Sequence, residues 1–312
     1  EKTADMVFAT VQPMGRDDVL TGFARDEFDV IVIDEVHRAG AGPHRKIMEY
    51  FRPRLYLGMT ASPERTDGFD IFGMFHHNIA YEIRLRQALE EDLLCPFHYF
   101  GITELEIGGE VFDDETGIRN FSRLVADERV DRIIEKAGYY GWSGDRVKGL
   151  VFCSSRQEAA ILSEKFNCRG FRTLDLSGED SQAVRSEAVE RLVSDDRGDR
   201  LDYLFTVDIF NEGVDIPEIN QIIMLRPTQS PIIFVQQLGR GLRKSEGKEF
   251  LVVLDFIGNY RNNFMIPVAL SGDRSYNKDA IRRYVSSGTR LIPGCSSIHF
   301  DEIARERVYE SI

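Results

Sequence analysis

Four short stretches carry side chains that can act together on a phosphorylated ligand. In IVIDEVHRAG, residues 31–40, an apolar run ends in Asp34 and Glu35, and His37 follows. Two carboxylates at a strand end can divide labour: one holds Mg2+, usually through water, and the next polarises an attacking water. In LGMTASPERTDG, residues 57–68, Thr60 and Ser62 offer hydroxyls just before a proline that stops a strand. In DYLFTVDIFNEGVDIPEIN, residues 202–220, Thr206 closes an apolar run, and Asp208, Asn211, Gly213 and Asp215 come after it. The glycine permits close backbone approach. In QQLGRGLRK, residues 236–244, Gln236, Gly239, Arg240 and Arg243 fit Q-x-x-G-R-x-x-R. Arginines three apart share one helix face, and guanidinium forks stay charged and bind phosphate oxygens bidentately.

Each stretch also has an ordinary reading. These are an acidic turn, a strand-end turn, a loop of turn formers, and a solvated basic helix end where cations favour the dipole. What sets them apart is their order along one chain.

The elements that must position them alternate. Strand candidates are DMVFAT, FDVIVID, RLYLGMT, NIAYEIR, FHYFGITE, KGLVFCS, FRTLDL, LDYLFTV, INQIIML and EFLVVLDF. Several are continuous apolar runs, as parallel strands covered on both faces require. Helical patterns occupy 43–51, 85–94, 120–138, 155–166, 181–194 and 231–238, with Ser155 and Glu158 set as a capping box. Such alternation predicts an α/β fold with parallel sheets. The rhythm breaks at 96–120, around ELEIGGEVFDDETG, and again after Asp255. The tail ends in an amphipathic DEIARERVYESI.

In this order and at these separations, the stretches resemble the motifs of the superfamily-two helicases and translocases. Asp34-Glu35-Val36-His37 is similar to motif II, Thr60-Ala61-Ser62 to motif III, Thr206–Asp215 to motif V, and Gln236–Arg243 to motif VI. FATVQPM resembles motif Ib, with Thr10 as its backbone-contact residue, and GLVFCSSRQEA resembles motif IV. The wording is nearest to DEAH-like DNA helicases related to type III restriction translocases and repair helicases. Val36 stands for their usual Ala and Ser62 for their usual Thr. The resemblance spans residues 5–260.

It implies two RecA-like lobes with ATP in the cleft between them. Residues 1–95 would be the rest of a first lobe truncated at its N-terminus, 96–260 a second lobe, and 261–312 a C-terminal extension. It also implies that Asp34 and Glu35 handle Mg2+ and water, and that His37, Thr60 and Ser62 couple nucleotide state to lobe movement. Gly213, Asp215, Gln236, Arg240 and Arg243 would form the second lobe's nucleotide face, with the two arginines as fingers. Thr10 and Thr206 would hold a nucleic-acid strand. DNA is the expected partner. An RNA helicase stays open, since nothing here reads a 2′-hydroxyl, and so does a non-catalytic nucleic-acid-binding module with a vestigial ATP site.

One part is missing. No stretch matches G-x-x-x-x-G-K-[ST], the loop whose amides and lysine hold phosphates. GLRKSEGKE, residues 241–249, has the wrong spacing and no Ser or Thr after Lys248. The chain is therefore expected to be a piece cut within the first lobe, nearly inactive in ATP hydrolysis by itself. Bulk properties fit a soluble cytoplasmic protein. Net charge is −13 with a pI near 5.0, against bulk electrostatic coating of nucleic acid but compatible with a local basic track. No apolar run reaches the ~18 residues of a membrane span. Cys95, Cys153, Cys168 and Cys295 form no CxxC pair and have no zinc-like histidine spacing, so neither a disulfide nor a metal framework is expected.

Overall fold

The structure is a computed structural model that describes residues 4–39, 42–60, 70–104, 125–207, 216–226, 231–257, 277–287 and 296–311. The chain divides into two compact units, Glu1–Glu82 and Ile83–Ile312.

In the first unit, strand β1 (Val30–Ile33) pairs in parallel with β2 (Leu55–Gly58), with Ile33 opposite Gly58. Helices α1 (Val11–Met14) and α2 (Asp17–Leu20) precede β1, and α3 (Gly42–Tyr50) links the two strands. A parallel pair needs such a crossover. Leu20, Ile47 and Phe51 are buried together, as are Ile33, Val36, Ala39 and Ile71. The continuous apolar run of β1 does not mean burial on both faces here. Ile33 is buried, whereas Val30 and Val32 are each about half exposed, at 52% and 51%. Among the described residues two expected strands do not form: DMVFAT and NIAYEIR have no strand pairing there, and Met6, Phe8, Ile79 and Tyr81 are exposed. β-branched and aromatic content favours a strand only where a neighbour completes the ladder.

The second unit is built on a parallel sheet that has seven strands among the described residues, in the order β5-β6-β4-β7-β8-β3-β9. The strands are β3 (Phe97–Thr103), β4 (Gly149–Phe152), β5 (Thr173–Leu176), β6 (Tyr203–Thr206), β7 (Gln221–Met224), β8 (Leu251–Ile257) and β9 (Ser297–Phe300). Helices α4 (Leu85–Glu90), α5 (Asp127–Tyr140), α6 (Arg156–Cys168), α7 (Gln182–Val193), α8 (Pro231–Gly239), α9 (Lys278–Ser287) and α10 (Glu302–Ser311) surround it. Strands β4, β6, β7 and β8 are buried at every position. Here the continuous runs do signal coverage on both faces. Leu150, Phe152, Ile222 and Val253 meet Ala188 and Leu192 of α7, Phe234 and Leu238 of α8, and Ala304 and Val308 of α10. Val151, Phe205, Ile223 and Leu254 meet Val130 and Ile133 of α5 and Leu162 and Phe166 of α6.

The edge strand β9 had no separate signal in the sequence. It pairs with β3, Tyr99 opposite Ile298. Asp301 then ties the strand end to the next helix: its carboxylate accepts from the Thr103 N–H at 2.6 Å and from the Ala304 N–H at 2.7 Å, capping α10.

The capping box at Ser155 forms only in half. The Ser155 hydroxyl accepts from the Glu158 N–H at 3.2 Å, as expected. Glu158 does not return the bond to Ser155: one oxygen accepts from the Ser154 N–H and the other from Arg129 at 2.9 Å. Arg129 is fully buried and also meets Glu104 through two nitrogens, at 2.8 and 3.2 Å. One guanidinium thus holds two buried carboxylates and joins β3, α5 and α6. Burial pushes the Glu158 pKa up, and Arg129 opposes that shift. Removing one partner of a buried ionic cluster leaves an uncompensated charge. Arg129→Met is expected to cost about 3–5 kcal/mol in urea unfolding of the chain, and a loss below about 1 kcal/mol would show that the cluster is expendable.

Candidate functional site

Parallel strands deliver their carboxyl ends to one edge of a sheet, where α/β proteins place ligands. In the first unit the ladder runs on past both strands: the Met59 N–H donates to Ile33 O at 2.9 Å, and the Val36 N–H to Met59 O at 3.0 Å. The acidic pair and Thr60 are thereby neighbours, although 25 residues separate Glu35 from Thr60.

Glu35 sits in the left-handed region, at φ 48° and ψ 44°. That conformation is costly for a residue with a Cβ and tends to collect at functional sites. It turns the chain sharply into a 3-10 turn, Val36–Arg38, with Val36 buried as its anchor. The Asp34 side chain stays exposed, and its Oδ1 accepts from the Glu35 N–H at 2.9 Å. The His37 ring is nearly enclosed, 12% exposed. Its Nδ1 lies 3.0 Å from Thr60 Oγ1 and 3.2 Å from Glu35 Oε2. One ring nitrogen therefore faces both the carboxylate of the first stretch and the hydroxyl of the second.

This donor set fits Mg2+ bound together with a phosphate. Mg2+ keeps several waters and takes one or two carboxylates plus substrate oxygens rather than a full protein cage. Asp34 and Glu35 supply two adjacent carboxylates, and no group of three or more metal-binding side chains occurs among the described residues.

Gly58 and Phe75 support the site, and neither was singled out in the sequence. A Cβ on Gly58 would lie 2.5 Å from Phe75 Cζ and 3.1 Å from Val36 Cγ1. The aromatic ring uses the space that the glycine leaves at the end of β2. An isolated glycine in a strand pattern is the signal that pointed there.

In the second unit, Phe234 and Leu238 bury one side of α8. Gln236 is half-buried, and its Nε2 is enclosed with no hydrogen-bond partner among the described residues. Arg240 is half-buried and Arg243 is exposed. The expected sharing of one helix face by the two arginines does not hold, because α8 ends at Gly239. They stand instead on the turns that follow, closed by Arg240 N–H to Gln237 O at 3.3 Å and Leu242 N–H to Gly239 O at 3.3 Å. Gly241 explains the close approach of this turn to the sheet: a Cβ there would lie 2.5 Å from Leu251 Cδ1.

The strand-contact residues diverge. Thr10 is exposed at the N-cap of α1. Thr206 is 0% exposed at the end of β6, with its hydroxyl 3.5 Å from Val151 O. Its hydroxyl is enclosed and faces the neighbouring strand β4. Ser62, Asp208, Asn211, Gly213 and Asp215 lie outside the described residues.

Known proteins similar to this chain are helicases and restriction-enzyme subunits. The family model "Helicase conserved C-terminal domain" matches residues 128–245, and "Type III restriction enzyme, res subunit" matches residues 1–65. The Saccharomyces cerevisiae protein named "Putative ATP-dependent helicase IRC3" is 25% identical over 284 residues, covering 87% of this chain and 40% of that protein. The type I restriction enzyme EcoAI endonuclease subunit of Escherichia coli is 26% identical over 265 residues, covering 75% of this chain and 32% of that one. Among solved structures, "The fragment structure of a putative HsdR subunit of a type I restriction enzyme from Vibrio vulnificus YJ016" is 25% identical with a TM-score of 0.64, over 82% of this chain and 48% of that chain. The chain thus spans less than half the length of each of these relatives.

Gly58→Ala is expected to displace Phe75 or Val36 and to cost about 1–3 kcal/mol of stability, the range for overpacking. Thermal unfolding checks this, and an unchanged midpoint would mean that the ring moves aside freely.

Proposed function

Because the chain is a superfamily-two helicase of the type III restriction-like kind, we propose that its parent protein couples ATP hydrolysis to movement along DNA. The observation that carries this reading is the single His37 nitrogen set between Glu35 and Thr60. A group that touches both can pass a change at the acidic pair to the end of β2.

Bound Mg-ATP supplies the phosphoanhydride to be cleaved and the cation that neutralises its charge. Asp34, open to solvent at the strand end, would hold the cation. Glu35 orients the attacking water and accepts its proton, and the nearby His37 ring fixes the direction of that carboxylate. Arg240 and Arg243 stabilise charge on the transferring phosphoryl group. Gln236, with its enclosed amide nitrogen, is suited to hydrogen-bond the nucleotide. Thr10, exposed at the start of α1, contacts the strand backbone and reads no sequence. Ser62, Gly213 and Asp215 keep their expected roles by motif position alone. Residues 1–312 contain no G-x-x-x-x-G-K-[ST] loop, so the chain by itself hydrolyses ATP negligibly.

DNA is favoured over RNA by the motif wording and by the restriction-enzyme relatives. ATPase rates of the parent with single-stranded DNA, duplex DNA and RNA decide this, and stimulation by RNA alone would reverse the choice. Glu35→Gln in the parent is expected to keep ATP binding and lower turnover by about 10²-fold or more; normal hydrolysis would remove Glu35 from the base role. Arg243→Ala should lower kcat by about 10³-fold with DNA affinity nearly unchanged. A variant that loses DNA binding but hydrolyses normally would make Arg243 a backbone contact instead.

A further inference from the structure

Lys248 belongs to the GLRKSEGKE stretch that fails as a phosphate loop, and the structure gives it another place. Its Nζ donates to three backbone carbonyls: Pro217 O at 2.7 Å, Gly241 O at 2.7 Å and Arg243 O at 2.8 Å. An ammonium has three donors, and here each one has an acceptor. The Leu242 carbonyl between them accepts from the Cys95 N–H at 2.7 Å. Three successive carbonyls on the turn beyond α8 are therefore all bonded.

The local chain is shaped for this. Gly247 takes φ +75°, the left-handed conformation that glycine adopts without strain, and the Lys248 N–H closes a turn on Ser245 O at 3.2 Å. The Glu249 N–H donates to Ser143 Oγ at 2.7 Å, which fixes the next residue just before β8. Pro217 lies two residues after Asp215, where the motif V stretch ends.

We propose that Lys248 is a positioning residue for phosphoryl transfer: its ammonium pins the turn bearing Arg240 and Arg243 to the segment that leaves motif V. The inference rests on the functional reading above and deepens it. A turn held at three carbonyls keeps both guanidiniums in place before the reaction, so that none of the stabilisation is spent on ordering them.

The pin is sensitive to pH. Burial pushes the Lys248 pKa down to about 8, opposed by Cys95 and by Glu218. Lys244, on the turn itself, acts with Lys248 on the Cys95 thiol and pairs with Asp92 at 2.6 Å. A neutral amine has two donors for three carbonyls, so the pin weakens as pH rises through about 8.

The test is steady-state DNA-stimulated ATP hydrolysis by the full parent between pH 7 and 9.5. In the wild type, kcat should fall as pH passes 8. Lys248→Met should lower kcat at pH 7 about tenfold or more, with KM for ATP changed less than threefold, and its alkaline limb should vanish. A kcat within twofold of wild type, or a limb that persists in the variant, overturns the proposal. Should Lys248→Met fail to fold, Lys248→Arg keeps the charge and does not titrate in this range. It should retain part of the activity without the limb, and a limb near pH 8 in that variant, or none in the wild type, overturns the idea equally. Glu35→Gln separates the two levels. Normal turnover in that variant sinks the functional reading and this inference with it, whereas a dead Glu35→Gln beside wild-type behaviour at Lys248 sinks the inference alone.

Discussion

The parallel hydrogen bonding of β1 to β2 is the constraint on which the candidate site depends. Ile33 opposite Gly58 sets the register, and the two bonds that continue beyond it carry Asp34–His37 alongside Met59 and Thr60. A register shift of one residue would turn each side chain to the other face. His37 would then lose Thr60, the partner that comes from the other strand. The left-handed Glu35, the buried Val36 and the Phe75 ring over Gly58 all serve to hold that one alignment.

The second unit meets the same need by a different means. Arg240 and Arg243 stand on turns beyond α8, where no ladder holds the backbone. Charged groups do that work from inside. Arg129 gathers Glu104, just after β3, and Glu158 of α6, and Lys248 gathers two carbonyls beyond α8 and that of Pro217. The two are not alike in consequence. The Arg129 cluster joins regular elements and has its effect on stability, while Lys248 joins two segments with expected nucleotide contacts and has its effect on geometry. Arginine suits the first because its fork meets carboxylates side by side, and lysine suits the second because its three donors spread over separate acceptors.

The core of the second unit was legible because its strands are buried on both faces. From β3 to β8, apolar runs of β-branched and aromatic residues coincide with strands, and the helical patterns at 155–166, 181–194 and 231–238 coincide with helices; the pattern at 120–138 starts outside the described residues, and its helix begins at Asp127. DMVFAT and NIAYEIR have the same composition but pair with no strand among the described residues, and composition does not report pairing. The pattern of β9 was too short to stand out, and only its pairing with β3 makes SIHF a strand. At Ser155 the sequence identified the cap, but the partner of Glu158 is a buried arginine 29 residues away in the chain. Local spacing cannot report a bond of that kind.

The sequence by itself determined the ordered set of chemical groups: the acidic pair, the hydroxyl turn, and the arginine pair after a glutamine. Those are side-chain types at short separations, and short separations are what a sequence states directly. Tertiary structure alone decided which groups meet and which are enclosed. It set His37 against Thr60, buried Thr206, moved Arg240 and Arg243 off the helix, and gave Lys248 three carbonyls to bind. Each of these outcomes depends on atoms that are distant in sequence arriving within a few ångströms, and the sheet register and core packing fix that arrival.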